Sequence, residues 1–219
     1  MKIIDPSVEI LTVTENVLQL IEAAGRTCYK SEDRITPDSA PKFVKMLINR
    51  GHEAMLEHSS VTVRFICDRG VSHELVRHRI ASFAQESTRY CNYGGNGLTV
   101  IRPCWFQSTC GKMNYAAMVA SKAPMAEWDW VMSMTNAEQT YKRLLDSGWT
   151  PQQARSVLPN SLKTEVVMTA NLREWRHFLK LRTAEAAHPQ MRQVADMLLI
   201  QLQERIPVIF DDIKEEQNT

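Results

Sequence analysis

The sequence predicts an α+β fold: a single domain with a small mixed or antiparallel sheet flanked by helices. Three observations carry this reading. Segments with apolar residues at helical spacing outnumber those that alternate with a period of two. No composition break, internal repeat or low-complexity run divides the chain. Its 219 residues suit one core with extensions better than two full domains. A composition 44% hydrophobic and 23% charged is that of a globular chain.

The elements follow in order. Leu11 to Ala24 carries Val13, Val17, Leu18, Leu20, Ile21 and Ala24 near a helical stripe. Pro41 to Arg50 is a second helix, with Gly51 placed to stop it. Ser60 to Cys67 alternates Val61, Val63 and Phe65 with polar neighbours, a strand pattern. Gly70 to Ile80 reads as helix ending in Arg77, His78 and Arg79, and Ser82 to Tyr90 as polar irregular chain. Asn92 to Gly97 is rich in turn residues, and Leu98 to Ile101 is a short strand. Pro124 starts a helix running to about Ser147, and Pro151 to Val157 forms a short one. Glu165 to Thr169 is a strand, Asn171 to Leu181 a helix, and Pro189 to Arg205 the last long helix. The acidic tail, about 206–219, is expected to fray.

Composition also excludes function classes. Lys plus Arg number 26 against 25 for Asp plus Glu, a formal charge of +1. Partners rich in phosphate, such as nucleic acid or a membrane surface, call for a large basic excess. No run approaches the ~20 apolar residues of a membrane span, and Met1 to Pro6 lacks the pattern of a signal peptide. The five cysteines are odd in number and form no CxxC pair, as suits free thiols in the cytoplasm. His52 and His58 are six apart, unlike a helical metal pair, and no metal site is expected.

The densest polar cluster runs from Glu74 to Tyr90 and includes Arg77, His78, Arg79, Gln85, Glu86, Ser87, Thr88 and Arg89. Arginine presents a planar fork of donors suited to phosphate or a polarised carbonyl. Ser87, Thr88 and Arg89 together offer hydroxyls, backbone N–H groups and a guanidinium to one phosphate. A basic helix end favoured by the macrodipole and followed by a solvated loop accounts for the same residues.

The order of these residues is more specific. Arg77-His78-Arg79, seven residues, then Ser87 resembles the RHR-x7-S signature of flavin-dependent thymidylate synthases, with Ser82 and Arg89-Tyr90 also in place. His52-Glu53-Ala54-Met55-Leu56-Glu57-His58 looks like that family's His-Glu-x-x-x-Glu-His segment. Arg155-Ser156-Val157-Leu158-Pro159, Asn171-Leu172-Arg173 and Leu181-Arg182 match its C-terminal half. The resemblance covers roughly residues 15 to 205, and collinear motifs are far more specific than one alone.

The resemblance implies synthesis of dTMP from dUMP, with FAD as hydride carrier, methylenetetrahydrofolate as carbon donor and NADPH as reductant. It implies a homotetramer with shared active sites. By position, Arg77, His78, Arg79, Gln85, Asn171, Arg173, His177 and His52 would contact FAD. Glu74, Arg77, the segment Gln85, Glu86, Ser87, Thr88 and Arg89, together with Arg155 and Arg182, would line the dUMP site. Arg182 stands where the family keeps the arginine that activates the uracil ring. A fixed guanidinium there stabilises charge developing on the pyrimidine, while the flavin supplies redox chemistry that no side chain can.

The chain departs from the family pattern at several places. Ala84-Gln85 replaces a common Asn-Glu, Ala54 a hydroxyl residue, and Cys28 a Ser. His177 replaces an Asn, Ala186 a His, and Glu74 a Gln. Two other classes share some features. A non-catalytic nucleotide or RNA-binding oligomer would use the Arg77–Arg89 cluster. A cysteine-dependent methyltransferase would use Cys104, whose Pro103-Cys104-Trp105 context lacks the His that class carries.

Overall fold

The computed structural model describes residues 1–107 and 123–213. Cys110 and residues 214–219 of the tail lie outside the described residues. In chain order the elements are β1 (Lys2–Ile4), β2 (Ser7–Val13), α1 (Val17–Thr27), α2 (Ser39–Asn49), β3 (Ser60–Asp68), α3 (Arg69–Leu75) and β4 (Ala81–Gln85). They continue with β5 (Thr99–Ile101), α4 (Met125–Asp146), α5 (Pro151–Ala154), β6 (Lys163–Asn171), α6 (Leu172–Arg182) and α7 (Pro189–Arg205). The architecture is α+β, as expected.

Strand β1 pairs in parallel with β5, with Lys2 opposite Thr99 and Ile4 opposite Ile101. The other sheet has the order β2-β3-β6-β4. Pairing along β3 and β6 moves in opposite directions, from Leu172 N on Ser59 O, through Thr62 with Thr169, to Arg69 N on Asn160 O. Both strands bury every second residue, as a period of two dictates.

The chain divides into two compact units, each assembled from separate segments. One comprises Met1–Ser7, Ile66–Val76 and Ala84–Val166; the other comprises Val8–Phe65, Arg77–Phe83 and Val167–Thr219.

In the first unit, Ile3, Val100, Val131 and Met134 form an apolar cluster with Trp128 and Trp130 packed on it. Asp68 caps α3 by accepting a 2.7 Å bond from the N–H of Val71, satisfying a backbone donor that the helix itself leaves unpaired. Thr150 and Gln153 form a capping box at α5.

In the second unit, α6 buries Leu172, Trp175, Phe178 and Leu179 at helical spacing. Trp175 donates its indole N–H to Val61 O at 3.0 Å, so its polar atom is satisfied where the ring is fully buried. Helix α1 presents Gly25 to α2. A Cβ there would come within 2.7 Å of the Phe43 ring, so this close approach of α1 to Phe43 depends on the glycine.

Four expectations are corrected. Leu11 to Val13 belong to β2, and the helix starts only at Val17. The β-branched run Ile10, Thr12 and Val13 favours a strand, and Asn16 at φ 50° breaks the chain between the two elements. Helix α3 stops at Leu75, so Arg77, His78 and Arg79 lie on a turn rather than on a helix end. Residues 81–85 are a strand, not irregular chain. At the edge of the sheet it keeps one face wet, and its polar composition hides the pattern. The tail does not fray from 206, because Ile206, Ile209, Phe210 and Ile213 are buried.

Candidate functional site

In the first unit the segment after β4 bounds a cleft of about 450 Å³, lined by Arg69, His73, Thr88, Gln152, Arg155, Ser156, Leu158, Pro159, Asn160 and Leu162. Arg155 donates to the hydroxyl of Thr88 at 3.3 Å, and Arg89 Nε donates to Gln152 at 2.9 Å. Two arginines, a hydroxyl and amide groups converging on a volume of this size suit a small anion-bearing ligand. Ser87 forms the turn, accepting at its carbonyl from Tyr90 and Cys91 and at its hydroxyl from the Arg89 N–H.

Gln85 is half-buried at the end of β4 and donates to Ser72 Oγ at 2.9 Å and Thr164 Oγ1 at 3.3 Å. Both bonds use its amide nitrogen. Glu86 turns to the protein: its carboxylate accepts from the Tyr93 hydroxyl at 2.8 Å and from Lys163 at 3.0 Å. Burial and the Glu86 hydrogen bond push the Tyr93 pKa up. Burial pulls Lys163 down, but its bonds to Glu165 and Glu86 outweigh this and raise its pKa. Glu86 thus anchors the loop instead of lining the cleft. Glu74, half-buried near the end of α3, is also in this unit and does not line the cleft.

The second unit gathers the other candidates. A cavity of about 470 Å³ is lined by Glu53, Glu57, Arg79, Ile80, Asn171, Arg173, Glu174, Arg176, His177 and Lys180. Arg173 forms a 2.6 Å ion pair with Glu57. Asn171 caps α6, its side chain accepting from Glu174 N at 2.9 Å, while its residue still reaches the cavity wall. Arg77 is exposed.

A larger cavity of about 700 Å³ lies in the same unit and includes His52, Cys28 and Ala54 in its wall. Phe43, Met46, Leu47 and Met55 supply apolar surface, and Arg26, Arg34 and Arg50 supply charge. The 3₁₀ turn Glu53–His58 contributes to both cavities: Ala54 and Met55 to this one, Glu53 and Glu57 to the other.

His78 differs from its exposed neighbours Arg77 and Arg79. It is 5% exposed, its ring edge set against Phe178 at 4.9 Å between centroids. Its Nε2 accepts from Arg182 Nε at 3.0 Å, and its Nδ1 lies 3.4 Å from Glu174 Oε1. Burial, then the charges of Arg182 and His177, lower its pKa to about 4. Burial raises the pKa of Glu174. His78, Glu174 and His177 place ligand-type atoms within 4.8 Å of one another. Arg79 lies on the same cavity wall and Arg182 bonds the His78 ring.

Comparison with known proteins decides the family. The model of the family "Thymidylate synthase complementing protein" matches residues 9–208. A flavin-dependent thymidylate synthase of Corynebacterium aurimucosum is 35% identical over 197 residues, covering 88% of this chain and 78% of that protein. One from Mycobacterium marinum is 34% identical over 212 residues, covering 95% and 84%. The chain belongs to the flavin-dependent thymidylate synthase family.

A crystal structure of a UMP/dUMP methylase, PolB from Streptomyces cacaoi, bound with 5-Br dUMP, superposes with a TM-score of 0.79. It is 26% identical and covers 100% of this chain and 99% of the other. Against this family background, the candidates divide between the two units. Gln85 to Arg89 and Arg155 fall in the first; Arg77 to Arg79, His52, Asn171, Arg173, His177 and Arg182 fall in the second. Sequence reasoning missed Arg69, His73, Gln152 and Asn160, which meet only when β3, α3, α5 and the loop before β6 are folded. One signal was available for Gln152. It precedes Arg155 by three residues, which places both on one helical face.

Proposed function

We propose that this chain synthesises dTMP from dUMP, with FAD as its flavin, methylenetetrahydrofolate as carbon donor and NADPH as reductant. The observation that carries the reading is the cleft in which Arg155, Arg69 and the Thr88 hydroxyl converge, next to the Ser87–Arg89 turn of a family member. Two guanidiniums and a hydroxyl match the charge and shape of a nucleotide monophosphate. In this reading Ser87, Thr88, Arg89 and Arg155 hold the phosphate end, and Gln85 and Glu74 orient the nucleoside. Arg182 supports charge that develops on the uracil ring. Cys67, whose thiol is pushed up to about 12 by burial and by Asp68, has no part in the reaction.

The second unit fits a flavin dinucleotide. The wall of one cavity carries Arg79, Arg173, Arg176 and Lys180 against Glu53, Glu57 and Glu174, a basic excess that suits the diphosphate, and the apolar wall with three arginines in the other suits a planar ring system bearing polar edges. Arg77, Arg79, Asn171, Arg173, His177 and His52 would hold it, whereas His78, also expected there, has its ring buried against Phe178 and Gln85 is assigned to the nucleotide; the flavin would supply two-electron redox chemistry that no side chain offers. Ile80 stands 86% exposed on the cavity wall. The reading includes a homotetramer with shared active sites, closed symmetric assembly being the usual way such sites are completed. Among the described residues no helix is long and apolar enough to cross a membrane, and the cytoplasm is the proposed location.

The test is direct. Purified protein should be yellow, should bleach with NADPH under anaerobic conditions, and should form dTMP from dUMP and methylenetetrahydrofolate. Flavin-loaded protein that forms no dTMP with all three substrates overturns the proposal. A colourless protein whose nucleotide binding collapses with salt would be a binding module instead.

A further inference from the structure

Helix α6 carries Glu174, Phe178 and Arg182 at successive intervals of four residues, one stripe of a helical surface. His78 lies along that stripe. Glu174 Oε1 is 3.4 Å from its Nδ1, Phe178 packs against the ring edge, and Arg182 Nε bonds its Nε2 at 3.0 Å. We propose that His78, backed by Glu174, is a positioning residue that sets the guanidinium of Arg182. This rests on the reading of Arg182 as the group that supports charge on the uracil ring.

The chemistry of the ring requires one protonation state. An Arg Nε–H can only donate, so Nε2 must be an unprotonated acceptor and the single proton sits on Nδ1. That proton faces Glu174 Oε1, an oxygen buried without a hydrogen-bond partner among the described residues. The other features of the pocket agree. Burial and the charges of Arg182 and His177 hold the imidazole neutral at pH 7, and the T-shaped contact with Phe178 fixes the plane of the ring.

The arrangement answers a geometric problem. Arg182 is the last residue of its helix, where frayed backbone and several rotatable side-chain bonds would leave its guanidinium poorly aimed. A buried acceptor on Nε fixes the plane of the fork, from which the terminal N–H groups take their directions. Preorganised charge of this kind is effective because it needs no reorganisation during the reaction. Among the Arg77, His78 and Arg79 run, the two arginines face outward and the histidine alone points inward, which suits a division between ligand contact and support.

The experiment compares His78→Ala, His78→Gln, Arg182→Ala and the double variant His78→Ala/Arg182→Ala as flavin-loaded protein. Flavin absorbance per chain, kcat and KM for dUMP, and the ¹⁵N-edited NMR signal of Arg182 Nε–H are measured. His78→Ala should keep its flavin, lose kcat by about 10- to 100-fold and lose the exchange-protected Nε–H signal. In His78→Gln the amide oxygen replaces Nε2 as acceptor and should restore kcat to within about threefold. In the Arg182→Ala background, His78→Ala should cost less than about twofold more, since residues acting as a unit are not additive.

Equal losses from His78→Ala with and without Arg182 overturn the proposal, as does a His78→Gln enzyme no better than His78→Ala. An unprotected Nε–H signal in the parent protein overturns it too. Full dTMP synthesis by Arg182→Ala instead overturns the uracil-activation reading, a result that the NMR signal does not affect.

Discussion

Arg176 grips Asp212 through two parallel hydrogen bonds of 2.6 Å, Nη1 to Oδ1 and Nη2 to Oδ2. The arginine side chain is 1% exposed, and it also bonds Glu53 at 3.0 Å and the carbonyl of Ile209. Burial lowers its pKa, but the bonds to Asp212 outweigh that and raise it, and Arg176 in turn holds Asp212 below its ordinary value against the cost of burial. One guanidinium therefore ties the C-terminal segment to the 3₁₀ turn whose Glu53 and Glu57 line the Arg79 cavity.

Removing Asp212 leaves the buried Arg176 charge only partly compensated. Asp212→Ala should lower unfolding free energy by about 2–4 kcal/mol, below the largest cases because Glu53 and the Ile209 carbonyl remain. Urea denaturation of the two proteins at pH 7 measures it. Asp212→Asn, which keeps one acceptor, should recover about half of the loss.

His78 makes stability depend on pH in a defined direction. In the unfolded chain it takes a proton near 6.5, but in the fold, where burial and then the charges of Arg182 and His177 oppose it, only near about 4. The unfolded state therefore binds more protons between these values, and stability falls as pH is lowered through them. At about 1.4 kcal/mol per pH unit the loss reaches about 3 kcal/mol by pH 4. Denaturation curves from pH 7 to 4 should lose about one proton of this dependence in His78→Gln.

Gly25→Ala places a methyl carbon 2.7 Å from the Phe43 ring. The backbone of α1 tolerates alanine, so the cost comes from displaced packing with α2. A destabilisation of about 1–3 kcal/mol is expected, and Gly25→Ala/Phe43→Leu should recover part of it. Thermal unfolding of the single and double variants distinguishes the steric cause from a general loss of helix stability.

Arg155→Ala removes a charged donor from the cleft while Thr88 stays in place. A lost charge-assisted bond of about 1.5–3 kcal/mol should raise KM for dUMP roughly 10- to 100-fold, with flavin absorbance unchanged. An unaltered KM would place the phosphate elsewhere.

Much of this was legible in the chain itself. The bounds of α7 follow from Pro189 and an apolar run ending at Arg205, and β3 follows from Val61, Val63 and Phe65 alternating with polar residues. Local physics decides such elements, because capping, period and burial all act within a few residues. The RHR-x7-S order, the Arg155 segment and Arg182 marked the family for a related reason: chemistry demands particular side chains in a particular order.

The tertiary structure alone decided what each candidate touches. Arg77, His78 and Arg79 read alike as basic residues at a helix end, yet only His78 turns inward, because Phe178 and Glu174 of a helix some hundred residues later receive its ring. Glu86 reads as one of a run of polar residues, and the fold brings its carboxylate to Lys163 and Tyr93. Arg69 joined the cleft beside Arg155 and Thr88 without any local signal. Periodicity and propensity report on neighbours in sequence, whereas a side chain's partner is set by long-range packing that no short window of the sequence contains.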